Sequence, residues 1–195
     1  MRITLETRFV IRKNFPMKPT VLRKILSALC LGLFVLMTQP LAAQLELKVE
    51  LEPDGITYSV WVQPDNSITP SGNTYTGTGQ ITLVVPHGFE YTNFEQYAGS
   101  WNYLPPFVSI TEAPPENPTK DYISIGLNDD DPQIVYEEGV ETLLFSFERV
   151  GNCSDEIYII DNDNDPFAQL PNSAGTNPGN DLGVFDFGNG LASYF

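Results

Sequence analysis

Apolar and polar side chains alternate along two neighbouring stretches of the chain. Leucine and valine occupy every second position of Leu45–Leu51, and Ile56–Gln63 repeats the alternation after the Pro-Asp-Gly triplet of residues 53–55. A period of two is typical of a strand with one buried face. Proline, aspartate and glycine each favour a tight turn for a different steric reason. The pattern therefore predicts a β-hairpin over residues 45–63.

Two later runs are rich in β-branched and aromatic residues. Val140–Phe147 has the sequence V-E-T-L-L-F-S-F, and Glu156–Ile160 has the sequence E-I-Y-I-I. Both runs are too short for a helix of ordinary length, and turn-forming Gly, Asn and Asp residues bound them. We expect both to be buried strands that pair with each other in the centre of the domain.

Shorter strand patterns occupy most of the remaining chain. Turn-forming residues recur roughly every 8–12 residues, and no segment longer than about ten residues keeps a helical apolar stripe. This spacing predicts an all-β fold, a two-sheet antiparallel β-sandwich. We expect residues 96–106 to be irregular, and we expect further strands at Tyr75–Val85, Phe89–Phe94, Phe107–Thr111, Asp121–Leu127 and Leu182–Phe187.

The first 43 residues differ in composition from the rest. Seven of the ten basic residues lie there, and an apolar run, Ile25–Met37, follows them and ends shortly before the small pair Ala42 and Ala43. These are the three parts of a secretory signal peptide, and the apolar run is too short to span a bilayer. We expect export from a bacterial cell and cleavage near Ala43, with Met17 as an alternative start. Residues 44–195 then form a single β-sandwich domain that does not insert into the membrane.

Removal of this leader makes the remaining body strongly acidic. Residues 44–195 keep three basic side chains against 24 acidic ones, a formal net charge of −21. Such a body repels nucleic acid and anionic lipid headgroups. Cys153 is its one cysteine, so a disulfide within the domain is excluded. The expected partners are therefore an extracellular protein or a polysaccharide.

Two acidic loops offer oxygen ligands of the kind that Ca²⁺ prefers. Asp161, Asp163 and Asp165 alternate with asparagines, a spacing that resembles the first half of an EF-hand loop. The later glycine and glutamate of such a loop are missing. Asp129 and Asp131 belong to a second acidic run, which forms part of the same site if the two loops meet. Two interpretations stay open, a calcium site and a solvated acidic turn.

Four aromatic residues suggest a surface for sugar rings. Tyr97, Trp101 and Tyr103 lie close together in the chain, and Trp61 falls on the polar side of its strand. Flat aromatic rings hold carbohydrate by stacking, and exposed apolar patches usually mark contact with a ligand. The alternative is that these rings cover one edge of the core, since aromatic side chains dominate core packing.

Catalytic motifs are missing from the sequence. His87 is the only histidine, and it lies in a Pro-His-Gly turn. None of the patterns G-x-S-x-G, H-E-x-x-H or Cys-x-x-Cys occurs. Among so many carboxylates some pair will lie at glycosidase spacing by chance, so a small extracellular hydrolase is kept as the least favoured alternative. No catalytic residue is predicted, and the protein is not expected to be an enzyme.

Five segments, taken together, resemble a known family: Thr78–Pro86, Asp121–Leu127, Leu143–Glu148, Asp165–Phe167 and Pro171–Ser173. They are similar to cohesin-like modules of secreted bacterial surface proteins, which are jelly-roll sandwiches related to carbohydrate-binding modules. The resemblance covers most of residues 44–190 and consists of strands and turns. It implies a secreted, non-catalytic binding or structural module that recognises an extracellular protein or surface partner. The alternative function is a carbohydrate-binding module that uses exposed aromatic residues.

Overall fold

The computed structural model of the protein describes residues 45–64, 74–137, 139–151, 156–186 and 191–194. The predicted signal peptide and Cys153 lie outside these ranges, so their outcome is not decided by the fold. Every regular element in the described ranges is a β-strand. In this part of the chain, no helix has the length and apolar character needed to cross a membrane.

Eleven strands build the described part of the chain, and most of them are short. They are β1 (Leu45–Leu51), β2 (Thr57–Pro64), β3 (Thr74–Pro86), β4 (Tyr91–Gln96), β5 (Ser100–Asn102), β6 (Ser109–Glu112), β7 (Lys120–Asp129), β8 (Thr142–Arg149), β9 (Tyr158–Ile159), β10 (Asp181–Asp186) and β11 (Leu191–Tyr194).

These strands form two sheets, and all their pairings are antiparallel. Sheet A has the order β1-β2-β8-β4, and sheet B has the order β11-β10-β3-β7-β5. In sheet B, β6 also pairs with β7, and β9 also pairs with β3. One core cluster contains side chains from both sheets, such as Val60 of β2 and Leu83 of β3. The predicted all-β class with two antiparallel sheets is confirmed.

The predicted hairpin is formed by β1 and β2. Val62 pairs with Leu47, and the Val60 and Val62 side chains are fully buried. In the turn, one oxygen of Asp54 accepts a hydrogen bond from the Thr57 backbone N–H at 2.9 Å, and the other accepts one from the Thr57 hydroxyl. The aspartate therefore satisfies the backbone where the second strand begins.

Aromatic rings fill the side of the core near β4 and β8. Phe145 is fully buried, stacks on Phe94 with 4.9 Å between ring centroids, and meets the Trp101 ring edge-on at 5.3 Å. Phe147 stacks on Tyr58 at 5.5 Å. Each fully buried ring of this kind stabilises the fold by about 1.5–3 kcal/mol relative to an exposed one. This cluster holds sheet A against sheet B.

The predicted pairing between the two runs rich in apolar residues is wrong. The first run forms β8, which pairs with β2 and β4 in sheet A, whereas only Tyr158 and Ile159 of the second form a strand, which pairs with β3 in sheet B. Both runs contribute buried side chains, such as Phe145 and Ile160, as their composition indicates. Burial does not name a partner, however, because the inner faces of two packed sheets have the same apolar character.

The segment of residues 96–106 is only partly irregular, because it contains β5. Both β5 and β6 pair with β7 on the side away from β3, so they lie end to end along one edge of sheet B. Residues 103–108 connect them, and we call this connection the edge loop. Its first residue, Tyr103, contacts Phe94 of β4, the edge strand of sheet A.

Candidate functional site

A groove of about 410 Å³ lies between the edges of the two sheets. One wall comes from the start of β4 in sheet A, and the other comes from the edge loop and β6 in sheet B. We call this cavity the edge groove. Its lining includes Phe89, Tyr91, Tyr103, Leu104, Ile110 and Val150.

The edge loop is fixed to β4 by its first residue. The Tyr103 ring stacks on Phe94 with 4.1 Å between centroids and planes only 2° apart. The Tyr91 hydroxyl donates a hydrogen bond to the Tyr103 backbone carbonyl. Burial raises the pKa of the Tyr91 hydroxyl, which keeps its proton available for that bond. The wall of the groove is therefore a preformed element of the sandwich.

Large apolar side chains around the groove remain exposed to solvent. The exposed fractions are 56% for Leu104, 73% for Phe107, 45% for Ile110 and 49% for Val150. Single exposed apolar residues are ordinary on protein surfaces, but a cluster of them around a cavity usually marks a contact site. Leu104, Ile110 and Val150 all line the groove, and Phe107 lies on the same edge loop.

The floor of the groove is held by the carboxylate of Asp121, which is only 4% exposed. One of its oxygens accepts hydrogen bonds from the His87 ring Nδ1 and the Ala113 backbone N–H, each at 2.8 Å. The other oxygen accepts from the Gly88 backbone N–H at 2.8 Å. The carboxylate thus joins the turn after β3 to the turn before β7.

His87 and Asp121 form an ion pair when the imidazole is protonated. The hydrogen bond that the His87 ring donates to Asp121 and the negative charges of Asp121 and Glu112 raise the pKa of His87. The His87 side chain is 55% exposed, whereas that of Asp121 is buried. All three of the described donors that reach Asp121 belong to the protein itself, so this carboxylate acts as a structural anchor in the present geometry.

The charges at the groove are predominantly negative. Glu90 and Glu112 line it and are exposed, and Asp121 lies at its floor. Among the described residues that line the groove, none is Lys or Arg. His87, which contacts Asp121, adds positive charge when its ring is protonated. A ligand that enters therefore meets apolar walls and carboxylates together.

The structure places the four predicted aromatic residues in three separate environments. Trp101 is 3% exposed and donates its ring N–H to the Ala98 carbonyl at 2.8 Å. Tyr103 belongs to the wall of the edge groove. Trp61 lies between the buried Val60 and Val62 of β2, so its side chain is on the outer face of sheet A. The Tyr97 hydroxyl contacts Ser146, which lies between the buried Phe145 and Phe147 of β8, so Tyr97 is on the same face.

On that outer face, Tyr97 is 46% exposed and donates its hydroxyl to Glu95 at 2.6 Å. The Lys48 ammonium lies 5.8 Å from the centre of the Trp61 ring, a distance at which a cation is attracted to the ring face. The ring N–H of Trp61 is buried without an acceptor among the described residues. Trp61 and Tyr97 therefore lie on the outer face of sheet A, whereas Trp101 and Tyr103 do not.

The first acidic loop uses two of its three carboxylates for its own structure. Asp161 accepts hydrogen bonds from the Asp163 and Asn164 backbone N–H groups at 2.9 and 3.1 Å. The Asn164 side-chain amide and these backbone bonds lower the pKa of Asp161. Asp165 turns inwards and accepts from the Tyr122 hydroxyl at 2.9 Å. Asp163 stays exposed.

The second acidic run divides in a similar way. Asp129 and Asp131 are exposed, whereas Asp130 between them is buried. Asp130 accepts hydrogen bonds from the Thr76 and Ile134 backbone N–H groups at 2.8 and 2.7 Å. Burial, which outweighs these bonds, raises the pKa of Asp130. This inward carboxylate joins β3 to the segment after β7.

Within the described ranges, no group of three or more His, Cys, Asp or Glu side chains is placed to hold a metal ion. The carboxylates at the two ends of the first loop have protein partners, and those of the second run point to opposite sides of the backbone. Calcium binding by the predicted aspartates stays a prediction from the sequence. In the structure, each of the two loops contains carboxylates that accept hydrogen bonds from backbone N–H groups.

Of the residues that line the groove, sequence reasoning selected only Tyr103, which it assigned to a surface for sugar rings. Leu104, Ile110 and Val150 come from three separate segments, and only the fold brings them together. The role of Asp121 was also missed. Asp121 follows Lys120 at the start of β7 and directly precedes the buried residues of that strand. A buried carboxylate at a strand end often serves to accept backbone hydrogen bonds, and this was the available signal.

Comparisons with known proteins do not extend this picture. No family model, curated protein or solved structure matches the chain. The resemblance to cohesin-like modules therefore stays a prediction from the sequence. The functional conclusion depends on the geometry of the edge groove and on the charge of the chain.

Proposed function

We propose that the protein is an exported, non-catalytic binding module of cohesin-like, jelly-roll type, which recognises an extracellular protein partner through the edge groove. The observation that carries the proposal is the set of exposed apolar side chains that line a preformed cavity, Leu104, Ile110 and Val150. Phe107, which is also exposed, lies on the same edge loop as Leu104. Aromatic and aliphatic anchors in a pocket supply most of the affinity of protein interfaces. The leader-like N-terminal segment supports export.

The buried carboxylate of Asp121 supports the rigidity of the groove. Asp121 accepts hydrogen bonds from three protein donors, one of them the ring of the single histidine. In its present geometry, the pair of His87 and Asp121 fixes two turns, which is what a rigid recognition site requires.

Carbohydrate binding is the second candidate, and one observation favours it. Trp61 and Tyr97 lie on the same outer face of sheet A, and Tyr97 is substantially exposed. Retention of the full chain on a panel of soluble and insoluble glycans would test this. We expect a Trp61→Ala variant to lose retention if the face binds sugar, whereas Trp101→Phe should keep it. No retention of either variant or of the wild type would remove this alternative.

Site-specific photo-crosslinking tests the protein-binding proposal. Benzoylphenylalanine replaces Phe107 in one variant and Leu170 in a control, because both side chains are large, apolar and exposed, at 73% and 63%. After irradiation with surface proteins of the source cells, we expect a defined crosslinked product from position 107 only. Excess unlabelled full chain should compete for it, and a Leu104→Ser/Ile110→Ser chain should not. Equal products from both positions would contradict the proposal.

Export is tested separately by sequencing the N-terminus of the protein recovered outside the cells. We expect the chain to begin near Gln44, because signal peptidase cleaves after small residues such as Ala43. Protein that stays with the cells and keeps its N-terminal segment would contradict export. That result would leave binding by the groove untouched.

A further inference from the structure

We infer that the edge groove takes a segment of the partner in which large apolar side chains alternate with lysine or arginine. This inference rests on the proposed function, because it assigns the chemistry of the ligand to the same groove. It adds two requirements that the proposed function does not make. The ligand must place apolar groups in the cavity, and it must place positive charge beside Glu90 and Glu112.

The apolar requirement follows from the size and walls of the cavity. Its volume of about 410 Å³ lies within the range of roughly 300–1,000 Å³ that is typical of ligand pockets. Leu104 and Ile110 come from the sheet B side, and Val150 comes from the connection after β8. Three aliphatic side chains around one cavity favour an aliphatic or aromatic side chain as its occupant.

The charge requirement follows from the two exposed glutamates. Glu90 precedes β4 in sheet A, and Glu112 ends β6 in sheet B, so a carboxylate stands on each side of the groove. In the described part of the molecule, neither carboxylate takes part in a hydrogen bond or an ion pair with Lys, Arg or His. Both therefore remain available to a cation from outside.

The charge of the whole body favours the same kind of partner. Residues 44–195 have a formal charge of −21 and the full chain has one of −15, so both attract cationic segments over distances of about a Debye length, roughly 8–10 Å at moderate salt. The same field repels a second copy of this chain and any acidic peptide. Like charges placed together also suppress wrong partners, so the charge of the whole body and the two glutamates of the groove favour the same cationic segments.

The alternation of the ligand follows from the edges that bound the groove. β4 and β6 are edge strands of their sheets, and an extended peptide that runs along such an edge presents successive side chains to opposite sides. Every second side chain then faces the cavity. The intervening side chains start on the opposite side of the peptide, and long lysine or arginine side chains can bend back from there to the exposed Glu90 and Glu112 on the rims. A cationic residue on each side of an apolar one matches this arrangement.

Three peptides labelled with fluorescein test the inference by fluorescence anisotropy with the full chain. Their sequences are Lys-Leu-Lys-Phe-Lys-Leu, the same with Gln for Lys, and the same with Glu for Lys. We expect the lysine peptide to bind at least ten times more tightly than the glutamine peptide at low salt, and the glutamate peptide to bind weakest. Raising the salt to about 0.5 M should reduce the advantage of lysine, because salt screens exposed charges.

Matched variants decide whether the groove is responsible. The Glu90→Gln/Glu112→Gln chain should bind the lysine peptide about as weakly as the glutamine peptide. A Glu46→Gln/Glu137→Gln chain changes the net charge equally at two exposed positions away from the groove, and it should bind like the wild type. Circular dichroism of each variant confirms that it is folded.

Three outcomes would overturn the inference. They are equal binding of the lysine and glutamine peptides, equal weakening by both pairs of glutamate substitutions, and no binding of any peptide. If the glutamine peptide binds as tightly as the lysine peptide and Leu104→Ser/Ile110→Ser still weakens both, the charge requirement fails while the groove stands as a binding site. The crosslinking experiment with position 107 judges the proposed function independently.

Discussion

The anchoring carboxylate of Asp121 allows a quantitative prediction about stability. An Asp121→Ala substitution removes the acceptor of two backbone N–H groups, those of Gly88 and Ala113, and of the His87 ring. The site is only 4% exposed, so the backbone donors have little access to water. The substitution should therefore destabilise the two turns that the carboxylate joins.

The magnitude follows from the number of donors left without an acceptor. Each buried donor in that position costs about 1–3 kcal/mol, and two donors are affected. Water can approach from the side of His87, whose side chain is 55% exposed, so we expect a loss of about 2–3 kcal/mol. In a domain of this size, each kcal/mol changes the melting temperature by roughly 2–4 °C. The expected decrease is about 4–12 °C.

Differential scanning calorimetry of the full chain measures this decrease. Asp121→Asn, which keeps one acceptor oxygen, should show a smaller decrease than Asp121→Ala. Asp163→Ala removes an equal charge from an exposed position and should change the melting temperature by less than about 1 °C. If Asp121→Ala and Asp163→Ala had the same melting temperature, the role of Asp121 as an anchor would be refuted.

Three further predictions concern pH, packing and calcium. Asp121 raises the pKa of His87 above about 6.5, so the ion pair stabilises the fold below that pH and is lost as the pH rises through the raised pKa. The melting temperature should therefore fall less between pH 6 and pH 8.5 in His87→Gln than in the wild type. Equal falls in the two proteins would contradict this. Phe167 is fully buried, and its ring centroid lies 4.6 Å from that of Tyr122. Chemical denaturation of Phe167→Ala should therefore show a free energy of unfolding lower by about 3–5 kcal/mol. The same substitution at the exposed Leu170 should lower it by less than about 0.5 kcal/mol. The calcium interpretation of the acidic loops expects a higher melting temperature in calcium than in a chelator, and identical values would remove it.

The elements that the sequence predicts best are those whose partners are local. The alternation in β1 and β2 identifies both the buried face and the neighbour, because a short turn leaves an antiparallel pairing as the only simple arrangement. The apolar character of β8 and β9 predicts that they contain buried residues, but it does not predict which strands they pair with. Their assignment to opposite sheets depends on contacts with β2 and β3, which lie far away in the sequence.

The direction of individual acidic side chains is also beyond a local pattern. Asp129, Asp130 and Asp131 are chemically identical in the sequence, yet only the middle one turns inwards. Its direction depends on two backbone donors, one of which belongs to Thr76 in a distant strand. The exposure of Leu104 and Phe107 is equally hard to predict from a local pattern, because it depends on whether segments distant in the sequence pack over them.

The edge loop joins two strands that are both fixed to the same side of β7. Residues can be added to or removed from its middle while the pairing of β5 and β6 with β7 remains as it is, since the entropy of a surface loop grows only slowly with its length. Changes in the length of this connection should therefore leave the rest of the sandwich intact. In that respect it corresponds to the variable loops of other two-sheet scaffolds, although it lies along a flank and not at an end.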